Sequence, residues 1–179
     1  MRRAAFAIRP LEARDVSALL TLERALADDG AGMVNHPGDV PVDEPAMRRA
    51  LRPWLGRPRD GAYLVAASTA SGTVPLLGSG ELRRLAPARV RHVGVLALGV
   101  HPEHRRRGVG RALLAALLDR AARAQLLRVE LQVRADNAPA IALYTQAGFQ
   151  IEGRRRAFVR EDDGRLIDDL LMARLADAG

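Results

Sequence analysis

Residues 104–114 read HRRRGVGRALL: His104, three arginines, Gly108 and Gly110 one residue apart, then an apolar run from Ala112. The pattern Arg105-x-x-Gly108-x-Gly110 suits an anionic partner. Glycine lets a ligand oxygen approach the backbone closely. A helix opening there offers unpaired N–H groups and the positive end of its dipole, and arginine forks at the rim add charge-assisted bonds to phosphate. Alone the pattern is weak. With 28 basic residues and 16 glycines in 179, three fixed matches arise roughly 0.2 times by chance. Its context gives it weight. Val90–Val100 precedes it, nearly continuous in apolar residues from Val93, and is expected to be a strand buried on both faces. Gly108–Ala124 follows as a predicted helix, with Val109, Leu113, Leu114, Leu117 and Leu118 at helical spacing. Two rival phosphate loops do not fit: GxxxxGK[ST] needs a lysine, which the chain lacks, and GxGxxG needs glycine where Leu113 stands. A nucleic-acid backbone, the diphosphate of a cofactor and a merely solvated patch remain as readings.

Composition narrows these. At 179 residues and 48% hydrophobic, the chain suits one domain with its own core. It has no cysteine, hence no disulfide, thiolate nucleophile or cysteine zinc site. His36, His92, His101 and His104 form no HExxH or comparable set, so no metal is expected. No 18-residue apolar stretch exists, and the opening MRRAAFAIRP is too short and too soon polar for a signal peptide. The expectation is a cytoplasmic protein without a membrane partner. The net charge is +7, yet every basic residue is arginine, scattered in pairs such as Arg2–Arg3, Arg48–Arg49, Arg83–Arg84 and Arg154–Arg156 among acids. Aromatic residues are 3% of the chain, too few for base-stacking platforms, so no nucleic-acid partner is expected.

Working outward, Ala4–Arg9 is a strand candidate ended by Pro10, and Glu12–Asp28 carries an amphipathic helix on Val16, Leu19, Leu20, Leu22 and Leu26. Residues 29–43 read as an irregular loop, and Glu44–Leu55 as a helix with Asp43 as N-cap and Pro45 in its first turn. Gly56–Gly61 is a turn-rich connection. Tyr63–Ser68 and Leu76–Leu85 are strands around the ASGT turn. Leu127–Arg134 alternates as a strand, and Ala138–Ala147 is a short helix capped by Asn137. Gly148–Arg160 and Arg165–Leu175 close the chain as a strand pair around EDDGR. The expectation is one α/β domain over residues 1–179 with a mixed sheet.

The order strand, V-x-P-x-x-R-R-x-G-x-G, helix, strand, N-x-x-A-x-x-x-Y-x-x-x-G-F resembles the GCN5-related N-acetyltransferase superfamily. The matching residues are Val100, Pro102, Arg105 to Gly110, Asn137, Ala140, Tyr144, Gly148 and Phe149. The segment RVELQVRADNAPAIALYTQAGFQIEGRRRAFVREDDGRLIDDLLMARL is similar to the branch holding bacterial L-amino-acid N-acetyltransferases. The likeness is good over about residues 90–175 and only an outline over 1–89. It implies a single domain of that superfamily's type: a mixed, mostly antiparallel sheet, about four helices, and splayed strands forming an acetyl-CoA cleft.

The resemblance also implies roles. Acetyl-CoA is the expected donor, with its diphosphate on the backbone of Arg105, Arg106, Arg107, Gly108, Val109, Gly110 and Arg111. Its arm would run along the strand at Leu98 and Val100, where an N–H near Leu98 would face the thioester carbonyl. Tyr144 matches the tyrosine that protonates the departing sulfur; a phenol with an ordinary pKa near 10 holds its proton at neutral pH. Its plain alternative is a core tyrosine. Asn137 would touch the CoA arm or simply cap its helix. Glu81, in GSGEL, is the candidate base, through water; a solvated strand carboxylate is the alternative. An α-amine at about 7.7–8.0 must lose roughly 1.4 kcal/mol to deprotonate near neutrality, a lysine side chain at about 10.4 roughly 4.6 kcal/mol. Weak base assistance therefore suits an α-amine. Asp168 and Asp169 read as structural, and His36 as a surface side chain rather than part of the acceptor site. The expected reaction is acetyl transfer to a primary amine of a small molecule, an amino acid or related metabolite. A protein N-terminus, an aminoglycoside, or a non-catalytic acetyl-CoA-binding or nucleic-acid-binding module are the alternatives. A homodimer is common in the superfamily.

Overall fold

The computed structural model describes residues 6–30, 32, 34–55, 61–69 and 75–176. The expected turn at 70–73, most of the 56–61 connection, and Ala4 and Ala5 lie outside them. The strands are β1 (Phe6–Pro10), β2 (Gly61–Ser68), β3 (Leu76–Arg84), β4 (Val93–Val100), β5 (Arg128–Arg134), β6 (Gln150–Arg160) and β7 (Leu166–Leu175). The α-helices are α1 (Val16–Asp29), α2 (Glu44–Ala50), α3 (Val109–Arg123) and α4 (Ala138–Gln146).

Seven strands form one sheet in the order β1-β2-β3-β4-β5-β7-β6. Neighbours are antiparallel except β4 and β5, which run parallel because α3 carries the chain across between them. That pairing is brief. It covers only Val93↔Arg128, Gly94↔Val129 and Val95↔Glu130, although β4 continues to Val100 and β5 to Arg134. Beyond those rungs the two strands part, which leaves an opening in the middle of the sheet.

Helix α3 covers one face. Leu113, Leu114 and Leu117 share a buried cluster with Leu82, Leu96, Leu131 and Phe149. A Cβ on Gly80 would lie 2.8 Å from Leu117 Cδ1, so the GSG of β3 lets the helix sit close. The other face is covered by α1 and α2, whose Leu19, Leu22, Leu26 and Met47 pack on Val65 and Leu76. Helix α1 crosses the sheet obliquely: Leu26 lies over Gly99 of β4, and the Gly30 carbonyl accepts from Arg134 Nη1 of β5 at 3.3 Å.

Two expectations are corrected. Strand β4 is not buried on both faces: its α3-side residue Leu96 is buried, but Ala97 on the α1 side is exposed. On that face Leu26 of α1 lies over Gly99. Helix α2 ends at Ala50 and not Leu55. Asp43 caps it as expected, accepting from Ala46 N–H at 2.8 Å, but Pro53 has no N–H and biases Arg52 away from the helical region. Residues 51–55 therefore continue as turns.

Candidate active site

The opening between β4 and β5 exposes specific backbone groups. Arg128 N–H donates to the His92 carbonyl at 3.2 Å, whereas His101 N–H donates to Leu77 of β3 at 2.9 Å. Backbone groups alternate sides along a strand, so even-numbered residues of β4 face β5. Pairing ends at Val95, and the N–H groups of Leu98 and Val100 consequently face the opening. Both side chains turn to the α3 side and pack against the core there. The Val100 carbonyl accepts from Arg105 Nε at 3.3 Å.

Where β4 ends, residues 102–108 wind into α3. Gly108 has φ +83°, Arg106 φ +61°, and a Cβ on Gly108 would meet nothing within 4 Å. The backbone N–H groups from Arg106 to Arg111 have no hydrogen-bond partner among the described residues; the first helical bond is Ala112 N–H to the Gly108 carbonyl at 3.0 Å. A run of free N–H groups around a left-handed turn and a first helical turn forms a concave anion cradle. Val109 contributes backbone only, since its side chain is buried. Arg106, Arg107 and Arg111 are exposed around it. Arg105 is not a free rim charge: its Nη2 pairs with Asp29 of α1 at 2.7 Å.

Tyr144 lies on α4 with its ring in the core beside Phe149, centroids 5.8 Å apart. Leu98 and Val100 of β4 pack against the same cluster, which includes Leu131 and Val133 of β5. Burial pushes the phenol up to about 12. Its hydroxyl has no protein hydrogen-bond partner among the described residues. Asn137 accepts from Ala140 N–H at 3.2 Å through Oδ1, which is the capping role.

Glu81 is half-buried on the α1 side, opposite Tyr63 of β2 and Ala97 of β4. Burial raises its pKa and Arg83 opposes the rise. Ala97 precedes Leu98, so the carboxylate stands on the rung next to the proposed oxyanion donor. Sequence reasoning missed Glu23 on α1, whose Oε1 accepts from Ser79 Oγ at 3.4 Å. In LTLERAL it reads as an ordinary outward helix position, and only the crossing of α1 over β3 reveals it.

Other candidates separate from this centre. Asp169 is 1% exposed and held by Arg155 Nε at 2.9 Å; Asp168 accepts from Arg154 and Ala157 N–H. Both act within the β6–β7 pair. His36 is exposed, caps a short turn and lies 3.5 Å from Asp162. Contrary to the expectation that no histidines assemble, His101, His104 and Glu103 bring ligand atoms within 4.8 Å of one another. His101 Nδ1 is used by Glu103 N–H, and three arginines and the α3 N-terminus next to the group repel a cation. The group is no metal centre on that chemistry.

A sheet split between two parallel strands, with a run of free backbone N–H groups at the end of one of them, defines an α/β domain with an opening in its own sheet and an anion-suited turn at the mouth of that opening. Residues 30–149 match the model of the Acetyltransferase (GNAT) family, and the chain belongs to that family. It is similar to the mycothiol acetyltransferase of Clavibacter michiganensis subsp. michiganensis (strain NCPPB 382): 36% identity over 146 residues, 76% of this chain and 44% of that protein. It is also similar to the [ribosomal protein bS18]-alanine N-acetyltransferase of Escherichia coli (strain K12), 42% identical over 76 residues, 42% of this chain and 51% of that one. The chain thus spans about half the length of these curated relatives. Among solved structures, the phosphinothricin acetyltransferase of Sinorhizobium meliloti in complex with AcCoA superposes with a TM-score of 0.79 at 20% identity, covering 96% of this chain and 88% of that one.

Proposed function

We propose that the chain is an acetyl-CoA-dependent N-acetyltransferase whose acceptor is a small primary amine, an amino acid or a related metabolite. The observation that carries the reading is the continuity of the β4–β5 opening with the free N–H groups of Arg106 to Arg111. A diphosphate would sit on those groups, and an amide-bearing arm would take the place of the missing strand pairing at Leu98 and Val100. Bound there, acetyl-CoA supplies an activated acyl group on a leaving thiolate. Leu98 N–H stabilises the charge that develops on the acyl oxygen. Glu81 accepts a proton from the amine, through water, and its raised pKa suits it to that task better than an ordinary carboxylate. Tyr144 donates its hydroxyl hydrogen to the departing sulfur. A phenol near 12 gives its proton up less readily than an ordinary one, so much of its effect is a hydrogen bond to the thiolate.

A second reading, acetylation of a protein N-terminus, is favoured by the likeness to the bS18-alanine enzyme. Both readings share an α-amine. An acetyl-CoA consumption screen over amino acids, polyamines, aminoglycosides and alanine-initiated peptides decides between them. CoA should raise the unfolding free energy by roughly 2.7 kcal/mol at a hundredfold excess over its Kd; no thermal shift at millimolar CoA overturns the cofactor assignment. A cytoplasmic location and a homodimer belong to the same reading, the latter checked by sedimentation velocity. Among the described residues no helix is long and apolar enough to cross a membrane.

A further inference from the structure

Glu23, Tyr63, Ser79 and Glu81 form a polar cluster on the α1 side of the sheet, of which the transfer reading uses only Glu81. Ser79 joins it to α1 through Glu23, and the β2–β3 register sets Tyr63 against Glu81. The rung continues to the exposed Ala97, which sets the cluster beside the open stretch of β4 at Leu98. Trp54 closes the far side, edge-on to Tyr63 with centroids 5.7 Å apart.

Charge is the telling feature. The chain carries 28 basic residues against 21 acidic ones. The buried carboxylates elsewhere are paired: Asp15 with Arg9 and Asp169 with Arg155. Glu23 and Glu81 are both half-buried, and neither makes an ion-pair contact among the described residues; Arg83 acts on Glu81 only through space. An unpaired carboxylate withdrawn from water is destabilising. Two of them on one groove wall, next to the acyl position, await a cation that comes from outside. Carboxylate oxygens, a hydroxyl and an aromatic wall suit an alkylammonium.

We propose that Glu23 and Glu81 together seat the ammonium group of the acceptor, making Glu23 an acceptor-binding residue of the reaction. The proposal rests on the N-acetyl transfer argued above. The ammonium loses one proton to the carboxylate pair. The nitrogen lone pair then forms the N–C bond as the C–S bond breaks, and a second proton leaves the nitrogen while the sulfur gains one. Two like charges facing one groove share a single proton more easily than two. Acceptors that are cationic at neutral pH are therefore preferred over weakly basic ones such as anilines.

The test is steady-state kinetics of Glu23→Gln with L-alaninamide and with the best acceptor from the screen. The amine KM should rise about ten- to a hundredfold, the size of a hydrogen bond to a charged group. The acetyl-CoA KM should stay within about twofold, and the thermal midpoint should stay or rise, because glutamine keeps the shape without the charge. An unchanged amine KM overturns the proposal. So does a variant whose midpoint falls while both KM values rise together, which marks a structural residue. Glu23→Gln combined with Glu81→Gln gives a second check: losses on one shared ammonium are not additive, and simple additivity overturns the shared seat. A wild-type protein that acetylates no amine overturns the transfer reading itself, a result distinct from any of these.

Discussion

Tyr144 combines a buried ring with a hydroxyl that finds no protein partner among the described residues. That oxygen is not sealed from solvent, which leaves it open to a ligand. Tyr144→Phe removes one oxygen and leaves the packing with Phe149 in place. We expect kcat to fall about a hundredfold, the lower end for a lost general acid, with little change in the acetyl-CoA KM; unchanged turnover removes Tyr144 from the acid role. For Glu81, burial holds the carboxyl above its ordinary value against the pull of Arg83, with Tyr63 of β2 and Glu23 of α1 facing the same groove. Only the ionised form accepts a proton, so kcat/KM for the amine should drop as pH falls through this raised value, above the ordinary carboxylate range. Glu81→Gln should lower the plateau and abolish that limb. The stability sign is opposite to that of a paired acid: a raised pKa favours the fold at low pH, and the benefit is lost as pH rises through it. Glu81→Gln should therefore leave neutral-pH stability unchanged or higher. Tyr144 and Glu81 were both singled out from sequence, the first from its spacing to Asn137, the second from its strand, and these variants test their roles. Glu23 was not, because its partner Ser79 lies 56 positions away.

At the scale of elements, the turn of free N–H groups was legible because everything that makes it is contiguous: an apolar strand, two glycines and a helix opening follow one another from Val93 to Arg123. The opening in the sheet was not legible from periodicity. It depends on where β5 stops pairing with β4, a matter of tertiary register that neither strand's own pattern encodes. The exposed Ala97 is the same lesson in one residue, since a continuous apolar run cannot report how far α1 reaches across it. Gly108 allows the cradle to be tested apart from the fold. Its φ of +83° penalises a side chain by about 1–2 kcal/mol, yet a Cβ would meet no protein atom. Asparagine tolerates the left-handed region better than a β-branched residue. Gly108→Asn should keep the thermal midpoint within a few degrees while raising the acetyl-CoA KM at least about tenfold, because its side chain enters the space the anion needs. Gly108→Val should lose both. CoA affinity retained in the asparagine variant would contradict the cradle.

Across the whole molecule several arginines act as clamps between elements. Arg9 holds Asp15 at the entry to α1, Arg105 ties the turn before α3 to Asp29 at the end of α1, Arg128 joins Glu152 of β6, and Arg155 reaches Asp169 of β7. Arg134 is the clearest case. Its side chain is 5% exposed and grips Asp136 at 2.8 Å, Glu161 between β6 and β7, and the Gly30 carbonyl closing α1. Three segments far apart in sequence meet on one guanidinium beside the β4–β5 opening. Truncation to alanine removes the buried partner of two carboxylates that water still reaches, 39% and 29% exposed, so the loss is that of hydrogen bonds to a charged group, about 1–3 kcal/mol. For a domain of this size the midpoint should fall by roughly 2–12 °C. The acid side fixes the cause. Hydrogen bonding to Arg134 holds Asp136 below the ordinary carboxylate value, so that contribution is present above the ordinary value and lost as pH falls through the lowered one. Melting curves of Arg134→Ala and wild type should therefore converge as the pH is lowered below about 4; a gap that persists undiminished would mean the arginine acts through packing of its stem and not through its charge.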